Sequence, residues 1–128
     1  MNTVPNDVTR RFLVVDDQPF MRKAVRRLIE AHRGWEVCAE ASDAQEAVEK
    51  VKNLAPDFVV MDLVMPRLSG IDAARRISEE SPDVQVLILT LHSLPDLVDA
   101  ARSAGAKAFI LKSDSPWRLV STIEELVA

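Results

Sequence analysis

The sequence has few of the residues that mark disulfide-stabilised, repetitive or disordered proteins. Its 128 residues include one cysteine, Cys38, three glycines and seven prolines. A single cysteine excludes an internal disulfide and fits a reducing compartment. Since no segment is repetitive or low in complexity, the sequence predicts neither internal repeats nor a linker. With 48% hydrophobic residues, the chain is typical of one globular domain with a sizeable core.

Long apolar runs and an excess of positive charge are also absent. The first eleven residues are polar, and no later run approaches the roughly 18 apolar residues of a membrane span. The chain has 20 acidic and 16 basic residues, a net charge of -4, which is the wrong sign for binding nucleic acid or an anionic membrane. We therefore expect a cytoplasmic protein that binds neither through this domain. A cation or a basic protein suits it better.

Five short apolar segments alternate with five amphipathic ones. The short segments are typical of buried strands, and apolar residues recur at helical spacing between them. The predicted strands are Arg11–Val15, Trp35–Ala41, Phe58 up to Asp62, Val84–Leu89 and Ala108–Leu111. The predicted helices run from Pro19 to before Gly34, from a cap at Ser42 or Asp43 to before Pro56, from Ser69 to Ser81, from Leu94 to Ala104 and from Pro116 to Val127. Because each helix returns the chain in the same direction, the alternation predicts a parallel sheet with helices on both faces.

Two of these segments carry polar residues in a regular pattern. The second strand alternates, with Trp35, Val37 and Ala39 on one predicted face and Glu36, Cys38 and Glu40 on the other. This alternation is typical of a less buried edge strand. The first helix has four basic residues opposite its apolar face: Arg22, Lys23, Arg26 and Arg27. They indicate either a solvated helix face or a docking surface for an acidic partner.

Polar residues follow four of the five predicted strands at their carboxyl ends. Asp16 and Asp17 follow the first strand, Asp62 the third, Thr90 the fourth and Lys112 the fifth. Ligands of open parallel sheets bind at this edge. Any one of these residues could cap a turn or a helix. Three acids, a hydroxyl and an ammonium on one edge instead predict a functional site.

The residue types at this edge favour phosphoryl chemistry. Three carboxylates without histidine or cysteine form an oxygen-rich site that favours Mg²⁺ or Mn²⁺ over zinc. Lys112 would balance the charge of a phosphoryl group, and Thr90 would donate a hydrogen bond to it. A carboxylate can attack phosphorus and form an acyl phosphate. Asp62 stands alone at the centre of the edge and is the predicted nucleophile.

Four motifs, VVDD, VVMDLVMPRLSG, LILTLH and FILKSD, resemble the receiver domain of bacterial two-component response regulators in kind, order and spacing. The resemblance extends from Arg11 to Val127. It implies a flavodoxin-like α/β fold with a five-stranded parallel sheet in the order 2-1-3-4-5. We therefore expect residues 1–10 to be a polar N-terminal tail and residues 11–128 to be the receiver domain.

The resemblance also implies roles for the polar residues. Asp62 would accept a phosphoryl group from a sensor histidine kinase or a phosphotransfer protein, so the chain would be a phosphoacceptor rather than an enzyme. Asp17, Asp62 and the backbone carbonyl of Val64 would bind Mg²⁺ directly, and Asp16 would act through a metal-bound water. Thr90 and Phe109 would form a switch pair that reshapes an interaction surface for an effector or a second copy of the chain.

The sequence departs from the family pattern in three respects, which involve four positions. Leu91 is bulky where the family more often has a small residue, which indicates restricted access to the phosphoryl group. Ser113 replaces a frequent proline, so we expect a trans bond between Lys112 and Ser113. Val64 is apolar and His92 polar at the two positions that flank the attacking water in this family. These two positions leave the lifetime of the phosphorylated state open.

Further segments resemble the NarL/FixJ-type subfamily, whose members usually carry a C-terminal DNA-binding domain. They are GWEVCAEASDAQEAVE, LTLHS and GAKAFILKSDSP. The chain is accordingly expected to be part of, or derived from, a transcription regulator.

Two other classes of protein are less consistent with the sequence. A phosphatase of the haloacid-dehalogenase type needs a second acid two residues after the nucleophile to protonate the leaving group, and Val64 occupies that position. Acids at the strand ends would repel the anionic cofactor of a flavodoxin-like binder. A phosphorylation-independent interaction module would not need the complete set of acids, threonine and lysine.

Overall fold

The five predicted strands form one parallel sheet in a computed structural model, which describes residues 9–65, 68–92 and 94–128. The strands are β1 (Arg10–Val15), β2 (Trp35–Ala41), β3 (Phe58–Met61), β4 (Gln85–Thr90) and β5 (Ala108–Leu111). Their order is β2-β1-β3-β4-β5, and every neighbouring pair is parallel. The predicted fold class is therefore confirmed. Residues 1–8 of the predicted tail lie outside the described residues.

Strand bounds differ from the prediction by one residue at two places. β1 begins at Arg10 rather than Arg11, because Arg10 already pairs with Trp35 of β2. β4 begins at Gln85 rather than Val84, because the N–H of Val84 donates to the carbonyl of Ser81 in the preceding turn. Pairing with a distant strand thus decides the start of β1, and a local turn decides the start of β4.

In the described chain, four helices connect successive strands and a fifth follows β5. They are α1 (Pro19–Glu30), α2 (Ala44–Leu54), α3 (Gly70–Glu80), α4 (Pro95–Ser103) and α5 (Pro116–Val127). The side chain of Asp43, not Ser42, caps α2 by accepting from the N–H of Glu46, and Ser69 caps α3. α1 ends at Glu30, earlier than predicted, and a turn leads from it to Gly34. In the described part of the chain, no helix is both long and apolar enough to span a membrane.

Apolar side chains form two cores, one on each face of the sheet. The α1/α5 core contains Val25 and Ile29 of α1 and Leu119, Val120 and Ile123 of α5. The α2–α4 core contains Ala47 and Val51 of α2, Ala74 and Ile77 of α3 and Ala101 and Ala104 of α4. Successive residues of a strand face opposite cores. The central strands are therefore apolar throughout, as expected for a sheet covered on both faces.

The predicted alternation of β2 is wrong after Val37. Phe12 pairs with Val37 and Leu13 pairs with Ala39, so Cys38 is an extra residue without a partner on β1. Such a β-bulge shifts the following residues to the other face of the sheet. Ala39 accordingly packs against the α2–α4 core instead of sharing a face with Val37. The next residue, Glu40, is turned toward α1.

Candidate functional site

The acidic and basic residues predicted at the strand ends converge at one edge of the sheet. Backbone hydrogen bonds continue past the strands and fix their positions. The N–H of Asp16 donates to the carbonyl of Ala41 (3.1 Å), and that of Asp62 donates to the carbonyl of Val15 (3.1 Å). The N–H of Lys112 donates to the carbonyl of Thr90 (2.7 Å). The residues therefore leave a rigid sheet edge rather than a free loop.

Lys112 joins two of the carboxylates. Its Nζ lies 2.7 Å from Asp16 Oδ2 and 2.9 Å from Asp62 Oδ2. The exposed fractions of the Lys112, Asp16 and Asp62 side chains are 6%, 5% and 11%. Burial alone would lower the pKa of Lys112, but the hydrogen bonds that its ammonium donates to Asp16 and Asp62 outweigh burial and leave the pKa raised. Lys112 is therefore a fixed positive charge between two buried carboxylates.

The three acids together offer a cation site. Asp16 Oδ1 accepts from the N–H of Gln18 at 2.9 Å, so both oxygens of Asp16 already have donors. Asp62 Oδ1 accepts from the N–H of Val64 at 3.3 Å, and Asp17 is exposed. One oxygen from each of the three carboxylates lies within 4.8 Å of the others. This all-oxygen donor set fits Mg²⁺, which binds through carboxylates and retained waters.

Thr90 and Phe109 lie on neighbouring strands and on one face of the sheet. Thr90 is fully buried, and its Oγ1 accepts from the N–H of His92 at 3.4 Å. Thr90 pairs with Leu111 of β5, and Phe109 lies two residues before Leu111. Phe109 therefore points to the same side of the sheet as Thr90, where it packs, half-buried, against the α2–α4 core.

A cleft lies above the acidic cluster and Lys112. It is lined by Asp17, Asp62 and Lys112 and by mostly exposed side chains, namely Gln18, Met21, Val64, Leu91 and His92. The side chains of Leu91 and Val64 are 66% and 54% exposed. Leu91 thus lies at the mouth of the cleft. A bulky side chain at this position was expected to restrict access to the phosphoryl group. The bond between Lys112 and Ser113 is trans, as expected, since no described peptide bond is cis.

Gly70, at the start of α3, supports the backbone of the site. A Cβ atom added at Gly70 would lie 2.6 Å from the carbonyl oxygen of Asp62 and 2.7 Å from the Cα of Leu63. The N–H of Gly70 donates to the carbonyl of Leu63 at 3.1 Å. Glycine is required here because the start of α3 touches the backbone that carries Asp62.

The sequence reasoning missed the contacts that Arg22 and Arg26 make with Glu40 and with the backbone of the site. Arg22 of α1 donates through Nη1 to the carbonyl of Asp16 (2.8 Å) and through Nε to Glu40 Oε1 of β2 (2.8 Å). Arg26 donates to the other oxygen of Glu40 (2.8 Å). The side chain of Arg22, 16% exposed, does not belong to a solvated helix face, because it binds an acid and a backbone carbonyl of the same chain. Arg26 is 41% exposed and remains on such a face while it binds Glu40. The signal was their spacing of four residues, which places them on one side of a helix.

Comparisons with known proteins agree on one family. Residues 12–124 match the response regulator receiver domain. The chemotaxis protein CheY of Thermotoga maritima is 39% identical over 91% of this chain and 97% of that protein. The transcriptional regulatory protein DegU of Brevibacillus brevis is 31% identical over 97% of this chain. The aligned part is 52% of DegU, so the chain spans about half the length of that regulator.

A solved structure of a response regulator has the same fold as this chain. The two-component response regulator of the LuxR family from Aurantimonas sp. SI85-9A1 is 42% identical to this chain, with a TM-score of 0.88. The alignment covers 92% of this chain and 84% of that one. With the sheet order, the edge cluster and these matches in agreement over nearly all residues, the chain belongs to the response regulator receiver family of two-component systems.

Proposed function

We propose that Asp62 accepts a phosphoryl group from the phosphohistidine of a sensor histidine kinase or a phosphotransfer protein. An oxygen of the Asp62 carboxylate attacks the phosphorus, the phosphorus–nitrogen bond breaks, and the histidine keeps the bonding electron pair. The observation that supports this role is the ammonium of Lys112, held 2.9 Å from Asp62 Oδ2 inside a cluster of three carboxylates. Receiver domains are typically signalling domains without enzymatic turnover, and we limit catalysis here to the chain's own phosphorylation and dephosphorylation.

Receiver domains bind Mg²⁺ at an acidic cluster, and this chain has such a cluster. We propose that Asp17, Asp62 and the backbone carbonyl of Val64 bind the ion directly. Both carboxylate oxygens of Asp16 already accept hydrogen bonds, which supports a role for Asp16 through a bound water. When bound, Mg²⁺ neutralises charge on the transferred phosphoryl group. The same oxygen donors would accept Mn²⁺.

Lys112 and Thr90 are proposed to bind the phosphoryl group after transfer. Lys112 Nζ already donates to Asp62 and can donate to a phosphoryl oxygen at the same place. The hydroxyl of Thr90 can turn from His92 toward that group. This rotation of the Thr90 side chain would vacate space on the face that Thr90 shares with Phe109, and the Phe109 side chain would fill that space. Two packed arrangements of this pair would form the switch.

Apolar residues around the site support a protein partner. The described large apolar side chains that are strongly exposed all follow the carboxyl ends of strands. They are Phe20, Val64, Leu91, Leu94 and Trp117. Exposed apolar groups rimmed by polar ones are typical of protein interfaces. We propose that the kinase or phosphotransfer protein docks at this end, and that α4, β5 and α5 form the surface for an effector or a homodimer.

Location and domain organisation complete the proposal. We propose a cytoplasmic receiver domain that serves transcription regulation. Its predicted bounds are residues 11–128 after a tail of residues 1–10, and we propose a start one residue earlier, at Arg10, where β1 begins. The identity to DegU and to a LuxR-family regulator supports that context.

Intact-mass measurement tests the phosphoacceptor directly. The purified protein with Mg²⁺ and a small acyl-phosphate donor should gain one phosphoryl group, and Asp62→Asn should gain none. Asp114→Asn is the matched control, because Asp114 is an exposed acid near the same edge and its removal should leave the added mass intact. An unchanged gain on Asp62→Asn would assign the phosphate to another residue.

A further inference from the structure

The guanidinium of Arg22 connects β2 to the backbone of the acidic loop. It donates to Glu40 Oε1 and to the carbonyl of Asp16, each at 2.8 Å. The side chains of Arg22 and Glu40 are only 16% and 15% exposed. A planar guanidinium with two such bonds has little freedom to rotate. Arg22 therefore holds the peptide group that links Asp16 to Asp17.

Glu40 is itself held in place on both carboxylate oxygens. Arg26 donates to Oε2 at 2.8 Å, and Lys23 Nζ lies 4.0 Å from the same oxygen. The hydrogen bond from Arg26 lowers the pKa of Glu40, burial raises it, and the bond from Arg22 lowers it further, with a net lowering. Glu40 is therefore ionised at neutral pH. Its position on the α1 side depends on the bulge at Cys38, which shifts the face of every later residue of β2.

The end of β2 thus restrains both sides of Asp16. The carbonyl of Ala41 accepts the N–H of Asp16, and the neighbouring Glu40 holds the arginine that binds the Asp16 carbonyl. This restraint opposes a repulsion, because carboxylates of Asp16, Asp17 and Asp62 approach within 4.8 Å and Lys112 supplies one compensating charge. Like charges at that distance favour a loop that moves apart.

We propose that Arg22 is a positioning residue for the cation site. Fixed by Glu40, it holds the Asp16–Asp17 peptide so that both carboxylates stay aimed at Asp62 before an ion binds. The inference rests on the proposed function, since it concerns the same Mg²⁺ site. Arg22 itself touches no ligand, and it acts through the peptide that it binds.

The sign of the effect of substitution separates positioning from simple electrostatics. Removing a positive charge near a divalent cation site strengthens cation binding if charge alone matters. Loss of a positioning contact weakens it, by about tenfold at the lower end of the range for partners that orient ligands. Arg22→Gln should therefore raise the Kd for Mg²⁺ by about tenfold, against the electrostatic trend.

Arg26→Gln is the matched control. Arg26 lies on the same helix and binds the same glutamate, but the described contacts of Arg26 do not include Asp16. Its substitution should leave the Kd for Mg²⁺ unchanged or slightly lower it. Glu40→Gln, which releases Arg22 without changing the helix, should accelerate metal-free exchange at the amides of Asp17 and Gln18 like Arg22→Gln. Its Mg²⁺ affinity does not separate the two causes, because loss of a negative charge alone also weakens cation binding. This second variant covers the case in which Arg22→Gln does not fold.

Calorimetric titration with Mg²⁺ and hydrogen exchange without metal provide the readouts. Exchange at the amides of Asp17 and Gln18 should accelerate in Arg22→Gln and not in Arg26→Gln. Equal or tighter Mg²⁺ binding by Arg22→Gln, with unchanged amide exchange in both Arg22→Gln and Glu40→Gln, would overturn the inference. Absence of Mg²⁺ binding by the unsubstituted protein would instead overturn the proposed metal site, and the metal-free exchange would still decide the role of Arg22.

Discussion

The buried charges of Lys112, Asp16 and Asp62 depend on one another at the scale of single residues. Two carboxylates share one ammonium, and all three side chains are about nine-tenths buried or more. Removing one member of a buried ionic group leaves its partners without compensation, which costs more than the group itself contributes. A bound cation at the same carboxylates would restore compensation. The stability of this chain and its cation binding should therefore be linked.

We expect Lys112→Met to lower the free energy of unfolding by about 3 kcal/mol in the absence of divalent cations. Saturating Mg²⁺ should recover part of that loss, because it supplies positive charge to the same carboxylates. Urea unfolding with and without Mg²⁺ measures both values. Lys107→Met is the control, since Lys107 is exposed and its loss should change the free energy by less than about 0.5 kcal/mol. If Mg²⁺ did not recover any of the lost free energy of unfolding, the expected link between stability and cation binding would be contradicted.

At the scale of elements, the end of α2 has a residue in an unfavourable conformation. Ala55 has φ 46° and ψ 59°, the left-handed region that favours glycine. Arg11 compensates for the helix end by donating to the carbonyls of Leu54 (2.7 Å) and Ala55 (3.2 Å). The sequence predicted the end of α2 from Pro56 but not this conformation, because alanine seldom adopts it.

We expect Ala55→Gly to stabilise the protein by about 0.5–1 kcal/mol. Glycine removes the strain of a left-handed alanine, roughly 1–2 kcal/mol, and this exceeds the added entropy of the unfolded chain. Ala31→Gly is the control, because Ala31 ends α1 in a right-handed conformation with φ -71°. Ala31→Gly adds entropy to the unfolded chain without relieving strain, so this variant should be less stable than the unsubstituted protein. Thermal unfolding of both variants measures the difference, and a destabilised Ala55→Gly would show that Ala55 is unstrained.

Elements with a clear period were predictable, and details that depend on tertiary pairing were not. The parallel sheet and the meeting of Asp16, Asp62 and Lys112 followed from apolar runs that end in polar residues, whereas the strand order was predicted from the family resemblance. The bulge at Cys38 could not be predicted, because the alternation along β2 does not show which of its residues lacks a partner on β1. The role of Arg22 depended on that bulge, which brings Glu40 to the α1 side. Local pattern thus located the site, whereas pairing between strands determined its support.

At the scale of the whole molecule, the sheet connects the acidic cluster to the surface formed by α4, β5 and α5. Thr90 pairs with Leu111, the residue before Lys112, and Phe109 pairs with Ile88 on the same face. Ala101 and Ala104 of α4 pack in the core on that face. A change at Thr90 therefore reaches β5 and α4 through contacts that already exist. Leu94 and Trp117, at the starts of α4 and α5, are 64% and 72% exposed, so the same surface offers apolar groups to a partner.

We expect phosphorylation of Asp62, or a beryllofluoride mimic, to change hydrogen exchange mainly across residues 91–105 and 108–117. A phosphoryl group adds about two negative charges, which attract the hydroxyl of Thr90 and free space for Phe109. Thr90→Ala should still accept the phosphoryl group but lose the change in exchange at these segments. Ser121→Ala, which removes an exposed hydroxyl from α5, should keep the change. If exchange in the unsubstituted protein changed only at the loops that carry Asp16, Asp17 and Asp62, the signal would end at the site, and the surface of α4, β5 and α5 would have no part in it.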